Sequence, residues 1–85
     1  SMNNEGEKMN PMKALRYMPK KDDVLMEPST GCYATVEEDV EKKTHVKLMW
    51  SDSRTGDTLK TPIAHIRDEL IKGWLILVRK TDEDR

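Results

Sequence analysis

Residues 23–70 read DVLMEPSTGCYATVEEDVEKKTHVKLMWSDSRTGDTLKTPIAHIRDEL. In this stretch apolar runs of strand length alternate with turn clusters. Val24-Leu25-Met26 opens a strand, and Pro28-Ser29-Thr30-Gly31 ends it. Residues 32–37 alternate, with Cys32, Ala34 and Val36 on one face and Tyr33, Thr35 and Glu37 on the other. Residues 38–43 form a charged hairpin loop, in which Val40 either continues the buried face or staples the loop. Residues 44–50 alternate more cleanly. Val46, Leu48 and Trp50 point inward, whereas His45, Lys47 and Met49 point outward. Residues 51–57 make a turn with Gly56 free to take a positive φ, and residues 58–60 give a short fourth strand with Leu59 inward.

On the C-terminal side, Thr61 suits an N-cap and Pro62 the first helical position. Ile63, Ile66 and Leu70 then form a buried stripe, Asp68 and Lys72 pair on the open side, and Gly73 caps the end. Residues 74–78, WLILV, are the most hydrophobic run and are expected to form a strand buried on both faces. On the N-terminal side, Asn10 caps a two-turn helix that Pro11 opens and Pro19 stops. Met12, Leu15 and Met18 recur every three residues and are expected to dock this helix, which is too short to persist alone. Residues 1–9 are expected to be a disordered leader, with Ser1 a vector-derived remnant. Residues 10–80 form one domain, and 81–85 a polar tail.

The order is short helix, four strands, helix, strand. Asp23-Val24 opening the first strand, Gly31 before Tyr33-Ala34-Thr35-Val36, and Val46-Lys47-Leu48 resemble the KOW and Tudor branch of the SH3-like barrels. Asp52 and Asp57 around the next turn and Pro62 opening the helix add to the likeness, which covers about half of the 85 residues. It implies a mainly β fold with short helices: a five-stranded SH3-like barrel with an N-terminal helix and a helix before the last strand. The helix after Pro62 is longer than the single turn usual in such barrels, and the N-terminal helix is additional. An aromatic cage for a methylated cation needs several convergent rings. Here Tyr33 and Trp50 fall on opposite faces, so the resemblance does not carry that ligand over.

Composition narrows function. Hydrophobic residues make up 35 % and charged residues 36 %, with a net charge of −1. Cys32 is the single cysteine, so no internal disulfide forms, and a reducing, cytoplasmic setting is expected. No apolar run is long enough to span a membrane, and no secretion signal is evident. Enzymatic chemistry lacks parts. Cys32, His45 and His65 do not have zinc-ligand spacing, and the four glycines are scattered at turns rather than gathered in a phosphate loop. A Cys32–His45 nucleophile pair fails if Cys32 points inward and His45 outward. Glu37, Glu38, Asp39 and Glu41 read as a solvated hairpin tip rather than catalytic carboxylates. No enzyme, cofactor or metal is expected.

Binding remains. Residues 8–21 carry five cations and no acid, whereas residues 22–42 are predominantly acidic. Lys13, Arg16, Lys20 and Lys21 surround Tyr17, a combination suited to phosphates and a stacked base. On the outward sheet face, Tyr33, His45, Lys47 and Lys60, with Arg54 at the nearby turn, make a mildly basic surface compatible with RNA. The alternative for that face is a solvated surface in which Glu37 pairs with Lys47 across the strands. The function expected is a non-enzymatic nucleic-acid-binding module. The other reading is a protein-interaction module, an inhibitor or adaptor, acting through an adaptable methionine patch or as a homodimer through a free sheet edge.

Overall fold

The structure is a computed structural model and describes residues 9–81. The leader expected over residues 1–9 and the tail over 81–85 lie outside the described residues, except for Met9 and Thr81. The elements are α1 (Pro11–Arg16), β1 (Val24–Glu27), β2 (Cys32–Val36), β3 (His45–Trp50), β4 (Leu59–Pro62), α2 (Ile63–Lys72) and β5 (Ile76–Arg79). The strands form one antiparallel sheet in the order β4-β3-β2-β1-β5. Each of the first three strands pairs with its successor, and the last strand returns beside the first. This is the mainly β, small barrel-like arrangement read from residues 23–70. The sheet stays open between its edges, β4 and β5.

Period-two alternation accounts for the sheet's buried side. Leu25, Ala34, Val36, Val46 and Leu48 are buried against Ile63, Ile66 and Leu70 of α2. Val40 is also buried, so the charged β2–β3 loop is pinned to the core by its one apolar side chain. The α2 helix ends as expected at Gly73, with φ 79°. The Gly73 N–H donates to Leu70 O and the Trp74 N–H to Glu69 O, the paired bonds of a Schellman closure. Its start differs from expectation. Thr61 belongs to β4, and Pro62 occupies the capping position without a side-chain cap.

Several inward assignments are corrected. The helix closure consumes Gly73 and Trp74, so β5 begins only at Ile76. Leu75 and Ile76 are buried, while Trp74 is 58 % exposed. Leu59 lies opposite buried Leu48, but β4 is an edge strand of the sheet, and Leu59 is 59 % exposed. Trp50 and Cys32 are only half-buried, although Trp50 still packs on the core. Met12, Leu15 and Met18 are exposed. The helix docks instead through Ala14 and Tyr17, whose three-residue spacing marks the other side of the same turns. The small Ala14 side chain lets α1 lie close to α2.

Tyr17 thus becomes a core residue. Its hydroxyl donates to Asp23 Oδ2 at 2.6 Å, and Asp23 is fully buried. The same oxygen accepts the Lys20 N–H at 3.0 Å, and Lys80 Nζ stands 3.6 Å away. The other oxygen, Oδ1, accepts the Thr81 N–H at 2.6 Å. One carboxylate therefore ties the end of α1, the entry to β1 and the exit from β5 together. The Arg67 Nε–H adds a 2.8 Å bond from α2 to the Tyr17 carbonyl.

Burial, reinforced by donation to Asp23 and the nearby negative charge, pushes the Tyr17 hydroxyl well above the ordinary tyrosine range. The neutral form is the one that the fold stabilises. That contribution is complete below the unfolded tyrosine pKa of about 10 and is lost as the pH rises above it. Urea denaturation at increasing pH is expected to show stability falling by up to about 1.4 kcal/mol per pH unit above about pH 10. Tyr17→Phe is expected to flatten that part of the decline.

Candidate nucleic-acid interface

The β3–β4 ladder sets Lys47 directly opposite Lys60 and His45 opposite Pro62. Like charges in direct cross-strand register weaken a sheet. No acid intervenes between this pair: among the described residues, neither ammonium has a carboxylate within 4 Å. The β2–β3 loop brings Lys42 and Lys43 to the same place. Together with Glu38, Thr44, His45, Lys47 and Lys60 they line an open groove of about 420 Å³.

The groove's shape is locally determined. The Lys43 N–H donates to Val40 O at 2.8 Å, closing a turn in which Lys42 takes φ 63°. That left-handed conformation favours glycine or asparagine and is unusual for lysine. Among the described residues, Glu38 is the single carboxylate in the lining. Its Oε2 accepts the Lys47 N–H at 3.2 Å, and its Oε1 meets Lys43 Nζ at 3.2 Å. The Lys43 ammonium, helped by the Lys47 N–H and by the charge of Lys47, holds the Glu38 carboxyl below the usual glutamate range. Glu38 therefore stays charged and offsets one of four lysines. The Thr44 carbonyl accepts the Ile63 N–H at 2.9 Å, so the groove abuts the positive N-terminal end of α2.

The outward sheet face continues from this groove. Lys60 faces Lys47, Met49 faces Thr35, and Tyr33 faces Met26. Tyr33 is 49 % exposed and held by bonds on both sides of its backbone: its N–H donates to Ser51 Oγ at 2.9 Å, and its carbonyl accepts the Ser51 N–H at 2.7 Å. The face therefore runs from an exposed ring to a cationic groove. Glu37 makes no ion pair with Lys47; the link between these residues is the Glu37 N–H donating to Lys47 O.

The other expected residues separate. Lys13 and Arg16 are exposed on α1 and rim a groove of about 450 Å³ floored by Met9, Met18 and Leu77, with Lys80 at its side. Tyr17 contributes to that wall, but its hydroxyl is committed to Asp23, so it is not the exposed stacking ring expected. Lys20 is half-buried in a third groove, of about 380 Å³, beside Asp39, Glu41 and Lys42. The Lys21 N–H donates to Asp39 Oδ1 at 2.9 Å. Arg54 is exposed in the β3–β4 turn and does not line the cationic groove.

Met18 lines both the α1 groove and the third groove, and Lys42 both the third groove and the cationic one. The two basic surfaces are joined, but through a passage bearing Asp39 and Glu41. Lys42, Lys43 and Lys80 escaped the sequence reading. The adjacent Lys42-Lys43 pair just before an outward His45 and Lys47 was the available signal.

Cys32 and His45 lie towards opposite ends of the β2–β3 ladder, which precludes their pairing. Among the described residues, no three His, Cys, Asp or Glu side chains gather as a metal site, and no helix is long and apolar enough to cross a membrane. No family model matches this chain, and no curated protein or solved structure is detectably similar to it.

Proposed function

We propose that this chain is a non-enzymatic module that binds single-stranded nucleic acid, RNA in particular, across the outward sheet face. Phosphates lie in the groove formed by Lys42, Lys43, Lys47 and Lys60, and a base stacks on Tyr33. The observation that carries this reading is the opposition of Lys47 and Lys60 without an intervening acid. A sheet gains stability by placing a carboxylate at one of those positions. Two lysines there are explained by an anion that bridges them. The exposed ring favours unpaired bases over a duplex, because stacking requires a free base face. The net charge of −1 is compatible with a local site, since Glu38 offsets one of the four lysines in the groove, and Asp39 and Glu41 lie in the neighbouring one.

Fluorescence anisotropy with a short single-stranded RNA across a salt series tests this. Each phosphate neutralised on a single strand contributes about −0.7 to the slope of log affinity against log salt. Up to four lysine contacts therefore predict a slope near −2 to −3. Tyr33→Ala is expected to weaken binding by about 1–3 kcal/mol. Tyr17→Phe is expected to leave the affinity unchanged. Lys13→Ala with Arg16→Ala is expected to matter less than changes at Lys47 and Lys60, because the acidic passage separates the α1 groove from the sheet. A salt-independent affinity, or none, would contradict the proposal.

A further inference from the structure

The opposite end of α2 carries a site of the other sign. Trp74 stands just past the helix, and its exposed ring joins Glu27, Pro28, Ser29, Glu69 and Gly73 around a cavity of about 370 Å³. The ten residues of α2 separate this cavity from the cationic groove by a rise of about 15 Å.

Three independent features favour a cation here. Glu27 and Glu69 both line the cavity. The C-terminal carbonyls of α2 place the negative end of the helix dipole beside it. The Trp74 ring is a cation acceptor: Lys72 Nζ, paired with Asp68, lies over it 4.6 Å from the centroid, and Lys72 is not among the residues lining the cavity.

The walls are fixed rather than loose. Trp74 is held by its N–H bond to Glu69 O at 2.9 Å, and the β1–β2 turn by the Gly31 N–H on Glu27 O at 2.7 Å. Glu27 Oε1 accepts the Thr30 hydroxyl at 2.9 Å, and Glu69 Oε2 meets His65 Nε2 at 3.4 Å. Each carboxylate keeps its second oxygen for another donor.

We infer that this cavity takes an arginine side chain from a basic segment of a partner protein. A guanidinium is planar, so it stacks on an indole while its edge donates to carboxylates on either side; an ammonium is a point charge without that shape. Pro28 adds an apolar wall for the side-chain methylenes. Phosphate-bearing partners are repelled by the same two glutamates. The site is independent of the sheet face proposed for nucleic acid, so the chain would link a basic polypeptide to a polyanion.

The test is a titration of the full chain with a short arginine-containing peptide and with the same peptide bearing citrulline, which is isosteric and uncharged. The indole N–H of Trp74, resolved from that of Trp50 in a two-dimensional nitrogen–proton spectrum, is the readout. The arginine peptide is expected to shift it with a Kd on the order of 1 mM or below, and citrulline is expected to leave it in place. Glu27→Gln with Glu69→Gln is expected to weaken binding at least about tenfold at an unchanged melting temperature, converting to about 1.4 kcal/mol. Lys47→Glu with Lys60→Glu is expected to leave peptide binding intact. An unmoved indole, an equal response to citrulline, or full affinity in the double glutamine variant would overturn the inference.

Discussion

Asp23→Ala is expected to cost about 3–5 kcal/mol, the penalty for stripping one partner from a buried charged network. A chain of 85 residues has roughly 4–13 kcal/mol of total stability. The loss is a third or more of the total over most of that range, so a large fall in melting temperature and in urea midpoint is expected. The reason is the number of groups left without an acceptor. The Tyr17 hydroxyl and the N–H groups of Lys20 and Thr81 all end on this carboxylate, and Lys80 is its ion-pair partner. Those groups come from three separate parts of the chain, so the loss affects the docking of α1 and the exit of β5 together.

Asp23→Asn retains one acceptor oxygen and removes the charge, and it is expected to cost less, about 1–3 kcal/mol. Urea denaturation read by circular dichroism checks both. Equal effects of alanine and asparagine would show that charge, rather than the count of acceptors, holds the clasp.

Lys47→Glu with Lys60→Glu is expected to abolish nucleic-acid binding in practical terms. Hydrogen bonds to charged groups contribute about 1.5–3 kcal/mol each, so losing two costs at least about 3 kcal/mol, on the order of a hundredfold in Kd, before repulsion is counted. The single change Lys60→Glu is more diagnostic. It turns a like-charge pair into an opposite-charge pair in direct register, which is expected to stabilise the sheet by about 0.2–1 kcal/mol. The same change is expected to weaken RNA binding by about tenfold or more. A substitution that raises the melting temperature while lowering affinity is the mark of a position kept for binding at the expense of stability. Thermal melting and anisotropy on one preparation give both numbers.

How much of this was legible follows from how local each signal is. Ala34, Val36, Val46 and Leu48 alternate, and Ile63, Ile66 and Leu70 recur at helical spacing; all are buried as read. Gly73 announced its left-handed closure through residue type alone. The α1 face was misread because a two-turn helix offers two three-residue series, and the methionine series outweighed Ala14 and Tyr17 in bulk. Trp74 was misread because an apolar run looks like a strand throughout, although its first residue was needed to close the preceding helix. Leu59 was misread because alternation gives the face but not whether a neighbouring element covers it.

The site divides the same way. His45, Lys47 and Lys60 share the outward face, as period-two alternation requires. Lys42 and Lys43 join them because a loop pinned by Val40 folds back over the ladder, a path no periodicity encodes. Tyr17 and Asp23 are six positions apart with no pattern linking them, so a buried hydroxyl–carboxylate bond was invisible in the chain. The basic run around Tyr17 looked like a binding segment because its cations are real and its ring's burial is tertiary.

The most direct test of the central claim is a nitrogen–proton titration of the folded chain with a short single-stranded RNA, repeated at two salt concentrations. The account predicts that the largest shifts fall at Lys42, Lys43, His45, Lys47 and Lys60, extend to Tyr33, and shrink as salt rises. Shifts confined to α1 or to the Trp74 end, or no shifts at low salt, would contradict it.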